Sequence, residues 1–224
     1  MIKLCVSGSK GKMGSRILEL AKDDAAFEIT GAFDAGEEAE ALIEKSDCLI
    51  EFTTPEATTA HLALCQTHKK VMVIGTTGLS DSEQVKVKGS AQKIAVVFSP
   101  NMSIGVNLLF KMVADAAKAL GNEYHVEIVE AHHVHKKDAP SGTAKELARI
   151  VNSVKGDVKI PIESIREDDI VGEHTITFDS DLDTVEITHS AKTRDIFAQG
   201  ALQAAKWVAG KPAGLYTMKD VLAL

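Results

Sequence analysis

The chain opens with Ile2-Lys3-Leu4-Cys5-Val6-Ser7-Gly8-Ser9-Lys10-Gly11-Lys12-Met13-Gly14, and this stretch decides the fold. Ile2–Val6 is a short apolar run of strand length that stops at Gly8. From Met13 to Ala21 the apolar residues Met13, Ile17, Leu20 and Ala21 recur at helical spacing. A strand, a glycine turn and a helix, in that order, open a dinucleotide-binding unit. The turn reads G-x-x-G-x-x-G, which is looser than G-x-G-x-x-G, so its context matters. Phe27–Phe33 is a second strand candidate, and it ends at Asp34, where such folds place the acid that accepts the ribose hydroxyls. Glycines let the backbone approach a pyrophosphate, and the helix start offers unpaired N–H groups and partial positive charge. Lys10 and Lys12 add cationic charge to the same loop. The bland alternative is an ordinary strand–turn–helix with glycines for packing and Asp34 as a loop acid. Asp34 favours NADH and the two lysines favour the extra phosphate of NADPH, so the coenzyme form stays open at this point.

Working outward, strands continue to alternate with helices over the first hundred residues. Cys48–Phe52, Lys70–Ile74 and Ile94–Phe98 are further strand candidates, separated by helical segments at Ala57–His68 and Ser82–Gln92. This alternation predicts a Rossmann-type doubly wound parallel sheet. Such sheets bind ligands at the carboxyl ends of their strands. The polar and glycine clusters at 8–14, 53–55, 75–78 and 99–103 all fall at that edge. After Asn101 the pattern changes. Val106–Leu120 predicts a long helix, followed by Val126–Ala131, a charged loop and a helix over about Gly142–Ser153. Ile160–Ile165, His174–Ser180 and Thr184–Ser190 alternate apolar and polar residues, as a sheet with one wet face does. The expectation is an α/β protein: residues 1–102 with 211–224 form the dinucleotide domain. Residues 103–210, including a last helix at Asp195–Ala209, form an α+β domain with an open mixed or antiparallel sheet.

Bulk properties narrow the function class. The 224 residues carry a formal net charge of −7 and only 4% aromatic residues, which disfavours nucleic-acid binding. No apolar run approaches the length of a membrane span, and no secretory signal pattern precedes the first strand. The three cysteines, Cys5, Cys48 and Cys65, share no paired spacing. Together these features predict a cytoplasmic protein acting on a small molecule.

The densest chemistry lies in Glu130-Ala131-His132-His133-Val134-His135-Lys136-Lys137-Asp138-Ala139-Pro140-Ser141-Gly142-Thr143-Ala144. Ser141-Gly142-Thr143 reads as a helix start, whose backbone amides suit a carboxylate. Histidine carries protons near neutral pH, and lysine supplies charge or a proton. A metal site from His132, His133, His135 and Asp138 is the weaker reading, since successive strand residues face opposite ways. A solvated loop beside an ordinary helix cap is the bland one.

This segment resembles the signature of the dihydrodipicolinate reductase family. The resemblance extends to Gly8–Gly14, Glu51–Pro55, Gly75–Gly78 and Ser99–Val106, in order along nearly the whole chain. It implies reduction of 4-hydroxy-tetrahydrodipicolinate to tetrahydrodipicolinate with NADH or NADPH, in lysine synthesis through diaminopimelate, by a homotetramer. It further implies that His132 is the acid/base histidine and Lys136 the proton donor. By the same resemblance His133, Gly142 and Thr143 contact the dicarboxylate substrate. Gly8, Ser9, Lys10, Gly11, Lys12, Met13, Asp34, Gly75, Thr76, Thr77, Ser99, Pro100, Asn101 and Met102 are its dinucleotide contacts, and no metal is implied. Two features depart from the pattern: only Ala35–Asp47 lies between the second and third strands, and no basic residue follows Asp34. A semialdehyde dehydrogenase would need a cysteine nucleophile near the domain junction, and all three cysteines lie in the first region.

Overall fold

The computed structural model describes all 224 residues, and the chain divides into two compact units. Unit 1 holds Met1–Ile104 and Asp195–Leu224, and unit 2 holds Gly105–Arg194.

In chain order unit 1 begins with β1 (Ile2–Ser7), α1 (Lys12–Lys22), β2 (Phe27–Phe33), α2 (Glu40–Glu44) and β3 (Cys48–Glu51). It continues with α3 (Pro55–Thr67), β4 (Val71–Ile74), α4 (Asp81–Ser90) and β5 (Ala95–Phe98). The helix starts follow their sequence signals. Thr54 caps α3 by accepting from the Ala57 amide ahead of Pro55, and Ser80 with Glu83 forms a capping box on α4. Unit 2 comprises α5 (Ile104–Leu120) from its second residue on, β6 (His125–His132), α6 (Gly142–Lys155), β7 (Ile162–Arg166), β8 (Gly172–Asp179) and β9 (Thr184–Ala191). The chain ends in unit 1 with α7 (Asp195–Val208), β10 (Gly214–Tyr216) and α8 (Met218–Leu222).

The sheet of unit 1 runs β10-β5-β4-β3-β1-β2 with every pair parallel. Its strands are apolar along their length because helices cover both faces. One core layer joins Leu4, Val6, Ile50 and Val97 to α1 and α7, and the other joins Leu49, Met72 and Ile74 to α3 and α4. The sheet of unit 2 runs β7-β6-β8-β9 and is mixed: β6 pairs with β7 in parallel and with β8 antiparallel.

One expectation is corrected. The helix expected with the second domain, α7, packs in unit 1 against α1 and strands β3 to β5. Its buried face is made of Ala198, Ala201, Ala204 and Ala205 with Leu202 and Val208, and small side chains permit a close approach. Arg16 of α1 fixes the pairing with a two-toothed hydrogen bond to Asp195, at 2.5 and 2.8 Å. The short helix α2 was not legible, because its five residues are too few to show a helical period.

Candidate active site

In unit 1 the last row of the parallel ladder is Phe33, Ser7, Glu51, Ile74 and Phe98. The residues that step off this row are Asp34, Gly8, Phe52, Gly75 and Ser99, so four separate sequence clusters end along one sheet edge. The three glycines of the turn are there for different physical reasons. Gly8 has φ +77°, and a Cβ on it would lie 2.3 Å from the Phe52 carbonyl oxygen. A Cβ on Gly14 would lie 2.1 Å from the Gly8 carbonyl oxygen, so Gly14 lets α1 pack onto the turn. Gly11 is the N-cap of α1 and has no such clash with the sheet, its tightest approach being 3.2 Å to the Gly8 carbonyl oxygen. A bare N-cap on an exposed helix start is what close approach of a phosphate requires.

A cleft of about 740 Å³ lies over this turn, lined by Gly8, Lys10, Gly11, Asp34, Phe52 and His61 among others. Asp34 accepts hydrogen bonds from the Lys10 and Ala35 amides, at 2.9 and 2.8 Å, and these bonds hold its carboxyl below the usual range. Glu37 brings a second carboxylate to the same rim. It accepts from the Asp34 amide at 2.8 Å and from Lys10 Nζ at 2.5 Å, and the Lys10 hydrogen bond lowers its pKa as well. Below the cleft, buried Glu51 pairs with His61 Nδ1 at 2.7 Å, and the His61 ring stands edge-on to Phe33. Gly75 keeps clear of the Phe52 ring, 2.1 Å from where its Cβ would be, and Thr76 accepts from the Thr53 amide. Thr76, Ser99 and Met102 are buried, and Met102 packs in the core. Gly75–Thr77 and Ser99–Met102 therefore share the sheet edge with the turn without lining the cleft.

In unit 2 the inner sheet face changes character along the strands. Ile162, Ile128, Ile176 and Ile187 form one cross-strand row, covered by α5 and α6. One step along, the row is Ser164, Glu130, His174 and His189, and the next places Arg166 beside His132. Glu130 and His132 share a face because they are two residues apart on one strand. The Glu130 carboxylate is fully buried and contacts His132 Nδ1. It also accepts from Arg166 through both oxygens, at 2.8 and 3.0 Å, and from the Ser141 amide at 3.2 Å. Burial alone would raise its pKa, but Arg166 and His132 outweigh this and bring it down to about 2.

The loop after β6 turns back at Lys136, whose amide donates to the His133 carbonyl. Lys136 Nζ pairs with Asp138 at 2.8 Å. Ser141 then caps α6 by accepting from the Ala144 amide at 3.2 Å, and its hydroxyl also meets His174 Nε2 at 3.1 Å. The His132 and His174 rings stand edge to face, 5.1 Å between centres. Burial lowers the pKa of both, and neighbouring His132 helps push His174 down to about 4. The helix start at Gly142 is exposed, and a Cβ there would meet nothing within 4 Å. His133 lies beside Arg194, 3.3 Å from Nε2 to the guanidinium.

Unit 2 therefore gathers His132, His133, Lys136 and the Gly142–Thr143 helix start at one end of its sheet. In unit 1, Gly8, Lys10, Gly11 and Asp34 border the cleft, and Ser9, Lys12 and Met13 of the same turn do not line it. The Glu130, His132 and His174 donor atoms lie within 4.8 Å of one another, but the Arg166 fork fills both carboxylate oxygens, so the cluster is a hydrogen-bond network. The cysteines are all buried, and burial pushes the Cys5 thiol up to about 12, so none supplies a thiolate nucleophile. Sequence reasoning assigned no role to Glu37, Glu51, His61, Arg166 or His174. Only Glu130 carried a readable signal, its two-residue spacing from His132 on a strand.

Family models described as dihydrodipicolinate reductase match this chain in two parts, the N-terminus over residues 2–102 and the C-terminus over residues 105–222. The chain is 38% identical to a 4-hydroxy-tetrahydrodipicolinate reductase of Syntrophotalea carbinolica and 39% identical to one of Geotalea daltonii, each over 266 aligned positions covering all of both chains. Those positions outnumber the 224 residues, so this chain is the shorter. Among solved structures it resembles a dipicolinate-bound dihydrodipicolinate reductase from Paenisporosarcina sp. TG-14. That match has TM-score 0.85 and 26% identity, and covers 97% of both chains. An amine dehydrogenase from Mycobacterium smegmatis shares the fold at TM-score 0.68 and 11% identity, covering 97% of this chain and 95% of that one.

Proposed function

The chain belongs to the dihydrodipicolinate reductase family, and from that premise we propose which of its residues carry out the reduction. Its activity is the NAD(P)H-dependent reduction of 4-hydroxy-tetrahydrodipicolinate to tetrahydrodipicolinate, a step of lysine synthesis through diaminopimelate. Overall the substrate loses water and gains one hydride and one proton.

The observation that carries the site assignment is the meeting of His132, Lys136 and the α6 helix start at one end of the second sheet. The substrate bears two carboxylates. The amides of Gly142 and Thr143 hold one, and His133 contacts the substrate alongside them. When bound, the reduced nicotinamide supplies the hydride. Lys136, or His132 once it has taken up a proton on Nε2, then delivers the one proton that neutralises the charge the hydride leaves on the ring. His132 suits this role because its Nδ1 is held by Glu130 and its Nε2 faces the space that Gly172 leaves.

The fit of a dinucleotide to unit 1 rests on the bare Gly11 N-cap, on the cleft above it and on Asp34 at the ribose position. Gly8–Met13 would take the pyrophosphate, and Gly75–Thr77 with Ser99–Met102 would follow along the same sheet edge. NADH is the preferred form. A 2′-phosphate would meet Asp34 and Glu37 together, and the Lys10 ammonium that could offset it is already paired with Glu37. Binding titrations should give a lower Kd for NADH than for NADPH, and Glu37→Gln should narrow the ratio about tenfold or more. Equal affinities in the unmodified protein would refute the preference.

The reaction assay is direct. Mixing the protein with NADH and freshly made dicarboxylate precursor should consume nicotinamide absorbance. His132→Gln and Lys136→Ala should each lower kcat by about 10²-fold or more while leaving NADH affinity unchanged. Normal turnover in both variants would sink the site assignment. The three buried thiols fit a reducing compartment, so we place the reaction in the cytoplasm. The assembly is expected to be a homotetramer, which light scattering on the full chain would check.

A further inference from the structure

We propose that Glu130 is a positioning residue for the reaction: clamped by Arg166, its carboxylate fixes the His132 ring with the proton on Nδ1, so that Nε2 is the atom that exchanges a proton with the substrate. This rests on His132 being the acid–base group.

The argument starts from cost. A carboxylate with no exposure to water stays ionised only where donors surround it. Glu130 has donors from three places in the fold. His132 approaches from the same strand, Arg166 from β7 and the Ser141 amide from the α6 N-cap, while the His174 ring is its cross-strand neighbour on β8. Arg166 is itself anchored, since it also donates to the Ile165 and Asp138 carbonyls at 2.6 Å. The carboxylate thus has one rotamer in which both of its oxygens are satisfied, and in that rotamer Oε2 faces His132 Nδ1. An ionised carboxylate only accepts hydrogen bonds, so Nδ1 must be the donor.

The other side of the ring is kept open. β8 begins at Gly172, where a Cβ would lie 3.0 Å from His132 Nε2 and 3.3 Å from Cδ2. Glycine at this position leaves Nε2 unobstructed on the strand side, while Nδ1 is committed to Glu130. The charges facing the ring are Glu130 from β6, Arg166 from β7, Lys136 from the loop, and the neutral His174 ring from β8. Glu130 is the only anion among them. Removing its charge should therefore lower the affinity of His132 for a proton, and removing Arg166 should raise it. A purely structural ion pair between Glu130 and Arg166 would change stability in both variants without this opposition of sign.

The test is ring-nitrogen NMR on the full chain, with the His132 signal assigned by its loss in His132→Gln. In the unmodified protein His132 should be the Nδ1–H tautomer, and this measurement needs no variant to fold. In Glu130→Gln the amide carbonyl is drawn to Arg166, and its NH2 group turns to Nδ1. The ring should then switch to Nε2–H and titrate at lower pH, with kcat falling about 10²-fold and the dinucleotide Kd within twofold of normal. In Arg166→Met the tautomer should persist and the titration should move to higher pH. An Nε2–H ring in the unmodified protein overturns the proposal. So does an unchanged tautomer and kcat–pH profile in Glu130→Gln, provided that His132→Gln is impaired. If His132→Gln turns over normally, the acid–base reading of His132 fails instead, and the tautomer result still decides whether Glu130 orients the ring.

Discussion

Gly142 shows how a single residue separates folding from function. It is the first residue of α6, is exposed, and has nothing within 4 Å of the position where a Cβ would stand. Alanine is a better helix former than glycine by up to about 1 kcal/mol, so Gly142→Ala should leave the melting temperature unchanged or raise it. On the proposed assignment, the same methyl group would stand where a substrate carboxylate meets the helix amides. The variant is expected to raise KM for the dicarboxylate about tenfold with little loss of stability, which steady-state kinetics and a thermal melt would check together. An unchanged KM would show that the carboxylate binds elsewhere. His132 was legible as a candidate proton carrier from its residue type and neighbours. Arg166, 34 positions away, was not, because only strand pairing brings it beside His132.

At the scale of elements, the β1–turn–α1 unit uses its glycines in two ways. Gly14 sits where a Cβ would press 2.1 Å from the Gly8 carbonyl oxygen, so helix and turn must separate if it is replaced. Gly14→Ala should destabilise unit 1 by about 1–3 kcal/mol. Gly11 is the N-cap, where alanine costs no more than about 1 kcal/mol. Gly11→Ala should therefore stay folded and lose dinucleotide affinity. Comparing urea midpoints and NADH titrations of the two variants would show the contrast, and equal losses of affinity without any loss of stability would contradict it. Gly200 belongs to the first kind. Its place in α7, 1.8 Å from the Met102 carbonyl oxygen if a Cβ were added, locks that helix to the end of the β5 connection within unit 1. The helical period of α7 was readable in the sequence, but its partner was not, since an alanine-rich face fits either unit.

For the whole molecule, the buried polar rows of unit 2 set the response to acid. His174 has a folded pKa near 4, below the ordinary histidine value of 6.5, because burial and neighbouring His132 disfavour its charged form. Between those values the unfolded chain binds more protons, so this contribution is present above pH 6.5 and is lost as pH falls toward 4. It amounts to roughly 3 kcal/mol. Glu130, held near 2 through Arg166 and His132, adds a second loss as pH falls from about 4.5 toward 2. Urea midpoints followed by circular dichroism should decline in two stages, and His174→Gln should remove most of the upper one; a decline in that variant as steep as in the unmodified protein between pH 6.5 and 4 would refute the assignment. The sequence alone determined the alternation of strands and helices, the glycine turn with Asp34, the His132–Thr143 segment and the absence of any apolar run long enough to cross a membrane. Each is a local pattern whose period or spacing survives in one dimension. Tertiary structure decided that α7 belongs to unit 1, that Glu37 neutralises Lys10 at the cleft rim, and that Arg166, Glu130 and His174 converge on His132. Those facts depend on strand register and helix packing, which bring together residues that the sequence keeps far apart.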